Sequence, residues 1–191
     1  MRLEAEGAPQ ERRVCRKFFP RQAQLGVKSV AVVGPPGAGK TLVATSLALY
    51  LHLATAGVAY VDKSVTKAGA GLVKSYLPLA ADVEEAAELG VDYVVIDAAP
   101  YDVPPADVYI FVLEPTDLRY FTGEGVYVVV NKTSRWSLRG IPFDSRISWA
   151  MQAGVPPVVA DIKGFERTRK RIVKVVKEIG DGLRGGGRRA T

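Results

Sequence analysis

The chain has 191 residues, 48% of them hydrophobic and 24% charged, the balance of one folded domain with its own core. Its longest apolar runs are broken by Gly, Pro or a charge well short of about 18 residues, so no transmembrane helix is expected. The net charge of +6 is unevenly placed: residues 1–28 carry seven basic and three acidic groups, residues 161–191 ten and four, and residues 29–160 nine and thirteen. A mildly acidic body with two basic ends points to an acidic polymer or membrane surface as partner, or to a pair of solvated tails. The opening "MRLEAEGAPQERRVCRKFF" has acids where a signal peptide would be apolar, and the single Cys15 forms no internal pair; both fit a cytoplasmic chain. Asn131 is the only Asn and His52 the only His. Loss of thermolabile amides suggests a thermophilic source.

In chain order, "KSVAVVG" (28–34) reads as a buried strand running into a Gly-rich turn, and "TLVATSLALYLHLATAG" as a helix stopped at Gly57. "GVAYVD" (57–62) is a second strand. A short helix is expected near Leu72–Leu77. Asp82 caps a further helix, with Glu85 three residues on and Gly90 as its stop. "DYVVIDAAP" (92–100), "ADVYIFVLEP" and "GVYVVVNK" (125–132) are the third, fourth and fifth strands, and "LRGIPFD" a short sixth. "SRISWAMQAG" is a helix ending at Gly154. In the last helix Phe165, Ile172, Val176, Ile179 and Leu183 recur as one core-facing stripe. Strands apolar throughout and alternating with helices predict an α/β fold, a mostly parallel twisted sheet with helices on both faces. One folded domain is expected over 28–183, with a basic N-terminal extension over 1–27 and a flexible basic tail over 184–191.

"GPPGAGKT" (34–41) meets G-x-x-x-x-G-K-[ST] between a predicted strand and helix, the context in which this motif binds nucleotide phosphates. The cradle comprises Gly34, Gly37, Ala38, Gly39, Lys40, Thr41 and Leu42. Its glycines turn backbone N–H groups inward and the helix N-terminus adds its positive end. Lys40 would reach the β- and γ-phosphates and the Thr41 hydroxyl would ligate Mg²⁺. Asp97, ending an apolar strand, sits at the sheet edge where ligands bind and is the second candidate for the metal. Asp62 ends its strand in the same way and either contacts metal or attacking water, or starts a turn. Asn131 follows "VYVVV" and could pair with adenine N6 and N7, or form a turn. An Asn-Lys guanine site needs an acid where Ser134 stands, so ATP is the expected nucleotide.

Together "GPPGAGKT", "VVIDAAP", "VVVNKT" and "GIPFDSRISWAMQAGVPPV" resemble the ParA/MinD-like partition and positioning ATPases, the deviant-Walker class of P-loop NTPases. Asp97 with Pro100, then Asn131 with Lys132, then Ile141, Pro142 and Asp144, then Gly154 and Pro156 match the family's pattern. The likeness extends over roughly residues 28–180. It implies ATP and Mg²⁺, catalytic roles for Lys40, Asp62 and Asp97, and contacts to the nucleotide from Asn131, Lys132 and Pro142. It also implies a nucleotide-dependent homodimer, slow hydrolysis, an unidentified adaptor or cargo protein, and a large surface as partner. Arg167, Arg169, Lys170, Arg171, Lys174 and Lys177 on the last helix suit non-specific DNA, and so possible nucleoid association, or simply a solvated face. A membrane is the lesser expectation, because the tail "RGGGRRAT" has no apolar face to insert.

Two positions depart from the family. Pro35 stands where its signature Lys reaches the partner's phosphates, and Ser64 where a second Asp orients attacking water. Either Lys63 or Lys67 substitutes, or hydrolysis is slow or absent. Two alternatives therefore stay open: a nucleotide-gated adaptor without useful turnover, and a small-molecule kinase. The kinase reading lacks an Arg-rich lid segment.

Overall fold

The computed structural model describes residues 26–55, 57–99, 103–121, 127–134 and 140–185. The N-terminal extension, Cys15, Pro100 and nearly all of the basic tail lie outside the described residues. Among the described residues the strands and α-helices follow in the order β1 (Lys28–Val33), α1 (Lys40–Thr55), β2 (Val58–Asp62), α2 (Ala68–Val73), β3 (Leu79–Ala80), α3 (Val83–Glu88), β4 (Tyr93–Asp97), β5 (Val108–Leu113), β6 (Tyr127–Val130), α4 (Ser145–Gln152) and α5 (Glu166–Arg184), with a 3-10 turn at Leu118–Tyr120 between β5 and β6.

The six strands form one sheet in the order β3-β2-β4-β1-β5-β6, and every pairing is parallel. This is the α/β architecture expected from strands without alternation: β1, β2 and β4 are buried along nearly their whole length, so both faces need cover. On one face Val30, Val32, Val58, Tyr60, Val95 and Ile110 pack against α1, α2 and α5. On the other, Ala31, Val33, Val61, Val94 and Ile96 pack against α3 and the segment entering β5. The stripe expected on α5 is buried in full, from Phe165 at 0% exposure to Leu183 at 3%. Emptying the Phe165 position would cost about 3–5 kcal/mol.

Parallel pairing sets the C-terminal ends of the strands along a single edge. Asp62 lies opposite Asp97, Asp97 opposite Val32, and Leu113 opposite Val130. The chain leaves β1 toward β2 on one side and reaches β5 and β6 on the other, so β1 marks the point where the order reverses, the place where such folds bind ligands.

Two expectations shift and one holds. The short helix lies at Ala68–Val73, earlier than Leu72–Leu77, with Asp62 accepting from the Ala70 N–H of its first turn. The described part of "LRGIPFD", residues 140–144, contributes no strand: it gives the single bridge Thr133–Pro142, and the sixth strand of the sheet is the two-residue β3. Asp82 caps α3 as expected, accepting from the Glu85 N–H at 2.8 Å, while the Glu85 carboxylate reaches back to the Ala81 N–H.

Candidate functional site

The loop from Gly34 to Gly39 joins β1 to α1 at this edge. Gly34 has φ +150° and approaches the Val112 carbonyl so closely that a Cβ would stand 2.2 Å from its oxygen. Gly39 has φ +95°, and its Cβ would meet the Asn131 amide nitrogen at 2.1 Å. Only glycine fits either place. Lys40 begins α1, and its ammonium folds back over the loop, donating to the carbonyls of Gly34 at 3.0 Å and Pro35 at 2.9 Å. Burial lowers its pKa, and the nearby Asp97 charge opposes that shift.

Thr41 donates its hydroxyl to Asp97 Oδ2 at 2.7 Å. Tyr60, fully buried on β2, directs its hydroxyl to the same oxygen at 3.4 Å. Asp97 itself is 0% exposed, and its Oδ1 has no hydrogen-bond partner. Burial foremost pushes this carboxyl up to about 6; the Thr41 hydrogen bond opposes it, the Asp62 charge adds to it, and Lys40 and Tyr60 counter it. A buried carboxylate oxygen left without a partner beside a Thr hydroxyl fits a hard cation or its water. Among the described residues no group of three or more His, Cys, Asp or Glu converges. Asp97 and Thr41 are the residues here that could hold such a cation.

Asp62 is engaged elsewhere. One of its carboxylate oxygens accepts from the Ser64 N–H at 2.9 Å and the Ser64 hydroxyl at 2.5 Å, the other from the Ala70 N–H at 2.8 Å. It thus pins the turn after β2 to α2. Lys67, in the left-handed region at φ 52°, donates to the Asp62 carbonyl, so its ammonium is committed to its own loop. Lys63 is exposed.

On the other side of β1, Asn131 donates from Nδ2 to the Ala38 carbonyl at 2.8 Å and is buried at 4% exposure. Its amide braces the phosphate loop from β6. Lys132 pairs with Glu114 at 2.6 Å. A cavity of about 550 Å³ runs from Pro36, Gly37, Gly39, Lys40, Thr41 and Leu42 past Asn131, Lys132 and Pro142 to Phe143, Asp144, Ile147, Ser148 and Met151. Ser64, Val65 and Thr66 form part of the wall on the β2 side. Gly37, Gly39, Lys40, Thr41 and Leu42 thus meet Asn131, Lys132 and Pro142 around one cavity; Gly34 and Ala38 do not line it, and Asp97 is linked to it through Thr41.

Asp144 caps α4 by accepting from the Arg146 N–H at 3.1 Å. Its carboxylate also accepts twice from the Arg146 guanidinium at 2.8 Å, and from the Thr168 hydroxyl of α5 at 2.7 Å. Burial alone would raise its pKa, but the Arg146 and Thr168 bonds outweigh it and hold the carboxyl below the ordinary range. Four of the six basic residues expected as a surface on α5 share one open groove: Arg167, Lys170, Arg171 and Lys174. The other two are set apart. Arg169 donates to the Ala160 carbonyl and Lys177 pairs with Asp181 at 2.6 Å; within the groove, which Glu166 also lines, Lys174 stands 3.8 Å from Glu178.

Tyr60 and Phe143 were not legible as site residues. The only signal at position 60 is a phenol inside an otherwise aliphatic strand; at 143 it is an aromatic between Pro142 and the helix-capping Asp144.

No protein-family model matches the chain, and neither does any curated protein sequence. Several solved structures are similar, two of them as follows. One is the MinD cell division protein of Aquifex aeolicus, at a TM-score of 0.59 and 15% identity, covering 86% of this chain and 100% of that one. The other is a chain of the MinC:MinD cell division protein complex of Aquifex aeolicus, at a TM-score of 0.56 and 16% identity, covering 85% of this chain and 98% of that one. The chain shares the MinD fold, a parallel sheet with a phosphate loop at the end of its central strand.

Proposed function

We propose that the chain is a ParA/MinD-like ATP-binding switch that hydrolyses ATP slowly. The observation that carries this reading is the Thr41–Asp97 pair beneath the Gly-rich loop, with one Asp97 oxygen buried and unpartnered. Glycine amides and the start of α1 receive the phosphates. Lys40 exchanges two loop carbonyls for phosphate oxygens, a stronger, charge-assisted contact. Mg²⁺, when bound, supplies neutralisation of charge between the β- and γ-phosphates. Asn131 holds the loop in its receiving shape through Ala38, and Pro142 and Lys132 edge the remainder of the cavity.

Slow turnover is inferred from the residues around the γ-phosphate end. Pro35 has no charge to lend a partner subunit, and the Asp62 carboxylate accepts three hydrogen bonds that orient a loop rather than water. In this reading ATP gates a homodimer, and hydrolysis, where it occurs, releases it. These same features favour a second reading, a nucleotide-gated adaptor with no useful turnover. A protein partner is in keeping with the neighbour found in a complex of MinD with MinC.

The surface partner in this proposal is duplex DNA, bound non-specifically through the groove of Arg167, Lys170, Arg171 and Lys174. Lipid is the weaker partner, because the apolar stripe of α5 is spent on the core and none is left to insert. No helix among the described residues is long and apolar enough to cross a membrane. Segregation of DNA or positioning of a large cargo is the cellular role such a switch serves. Phosphate release, measured with and without duplex DNA for the wild type and Lys40→Ala, tests the proposal. Turnover stimulated by DNA and abolished in the variant supports the switch. ATP-dependent dimerisation without phosphate release supports the adaptor, and phosphate release unchanged in Lys40→Ala contradicts both.

A further inference from the structure

The cavity has two ends of different chemistry. β4, with Asp97, flanks β1 on one side; β5 and β6 lie on the other. The phosphates and their metal belong to the loop and to the Asp97 side. What remains toward β6 is an apolar wall: Phe143, then Ile147 and Met151, spaced four apart down one face. Phe143 is 69% exposed although its backbone is held firmly. Its N–H donates to the Thr133 carbonyl at 3.0 Å, Pro142 bridges Thr133, and the next residue caps α4. A large ring presented to solvent from so rigid a seat costs apolar exposure that nothing within the fold requires.

Of the polar residues near that ring, Ser148 also lines the cavity, and the charged ones are engaged, Lys132 with Glu114 at 2.6 Å. The Asp144 carboxylate is filled by Arg146 and Thr168, and one Asn131 N–H is given to Ala38. Recognition at this end therefore falls mainly on a face, and a flat π surface favours another flat π surface. We infer that Phe143 is the platform on which the nucleotide base stacks, with Ile147 and Met151 as the floor beside it. The inference rests on the nucleotide reading of the cavity and adds the group that holds the base. Stacking is tolerant of base identity, so Phe143 contributes affinity, and any preference for adenine is left to the amide edge of Asn131.

Calorimetric titration of the full chain with ATP and with inorganic tripolyphosphate, both with Mg²⁺, separates the base from the phosphates. Phe143→Ala is expected to weaken ATP roughly tenfold and to leave tripolyphosphate within about twofold of the wild type. Phe143→Trp should keep ATP affinity. Because the side chain is exposed, the melting temperature should not change. Equal weakening of ATP and tripolyphosphate would overturn the inference by showing damage to the loop. Unchanged ATP affinity in Phe143→Ala, with or without altered self-association, would overturn it by giving the ring to a protein contact. A wild type that binds tripolyphosphate but gains nothing from the base overturns the platform alone; one that binds neither overturns the nucleotide reading beneath it.

Discussion

Thr41 and Asp97 are joined by a 2.7 Å hydrogen bond between the first turn of α1 and the end of β4, 56 residues apart in sequence. The bond sets side by side the two groups expected to share a cation. It also leaves the second Asp97 oxygen buried and unpartnered, a cost that the folded chain carries until something binds there.

That cost has a pH signature. The Asp97 carboxyl is raised from the ordinary 3.8 to about 6 in the folded chain. Between those values the native state holds a proton that the unfolded state has released, so stability falls as pH rises through this window and stays lower above it. Asp97→Asn removes the penalty. Nucleotide-free stability at about pH 7.5 should rise by about 1–3 kcal/mol, while Mg²⁺-dependent ATP binding is lost. Urea unfolding of both proteins at about pH 4 and pH 7.5 measures it. A variant that is less stable than the wild type at the higher pH would refute the assignment.

Asn131 and Gly39 form a coupled pair. Asn131→Ala leaves the Ala38 carbonyl without its partner and should cost about 1–2 kcal/mol of stability and about tenfold in ATP affinity. Gly39→Ala places a methyl group 2.1 Å from the Asn131 nitrogen at a positive φ. The double variant should be destabilised by less than the sum of the singles, because removing the amide removes the clash and leaves only the backbone strain. Thermal melts of the four proteins give the coupling; strict additivity would show that the two residues do not meet.

Asp144 ties α4 to α5. Asp144→Ala should cost about 1–3 kcal/mol, since it strips the cap of α4 and leaves Thr168 and Arg146 without an acceptor. Its folded pKa is depressed, so its contribution is present above the unfolded value and disappears as pH falls through the folded one. The gap in stability between wild type and variant should therefore narrow in acid. A gap that is constant down to about pH 2 would argue against an ionised Asp144 in the fold.

The basic residues of α5 should not behave alike. Lys170→Ala with Lys174→Ala removes two groups from the open groove and should lower the slope of log affinity for duplex DNA against log salt by about two. Lys177→Ala should leave that slope nearly unchanged, because Lys177 lies outside the groove and is held by Asp181 at 2.6 Å, tighter than the 3.8 Å between Lys174 and Glu178. Fluorescence anisotropy across a salt series distinguishes them, and equal slopes for all three proteins would remove DNA from the groove.

Much of this was readable from the residues. Apolar runs without alternation gave the central strands, and the three-and-four spacing of Phe165, Ile172, Val176, Ile179 and Leu183 gave α5 and its buried face. Asp82 with Glu85 gave α3. What was not readable depends on contacts between distant segments. α2 starts at Ala68 although Gly69 and Gly71 are poor helix formers, because Asp62 accepts from the Ala70 N–H and Gly69 packs against the Tyr60 hydroxyl, where a Cβ would stand at 2.1 Å. The two residues of β3 are too few to carry a period. "LRGIPFD" looked like a strand because Ile141 is fully buried, but it pairs only once. The phosphate loop was evident from its glycines. That Asn131 would brace it, and that Asp62 would turn toward α2, depends on hydrogen bonds that no local pattern encodes.

Binding of Mg²⁺-ATP to the wild type and to Lys40→Ala, compared by calorimetry, bears most directly on the claim that this edge is a nucleotide site. Lys40 is nearly buried and, without ligand, its ammonium is held by two loop carbonyls, so its charge is in place for phosphate. Saturable ATP binding by the wild type, weakened at least about a hundredfold in a variant that still folds, is the expected result. Equal affinity in the two proteins would contradict it.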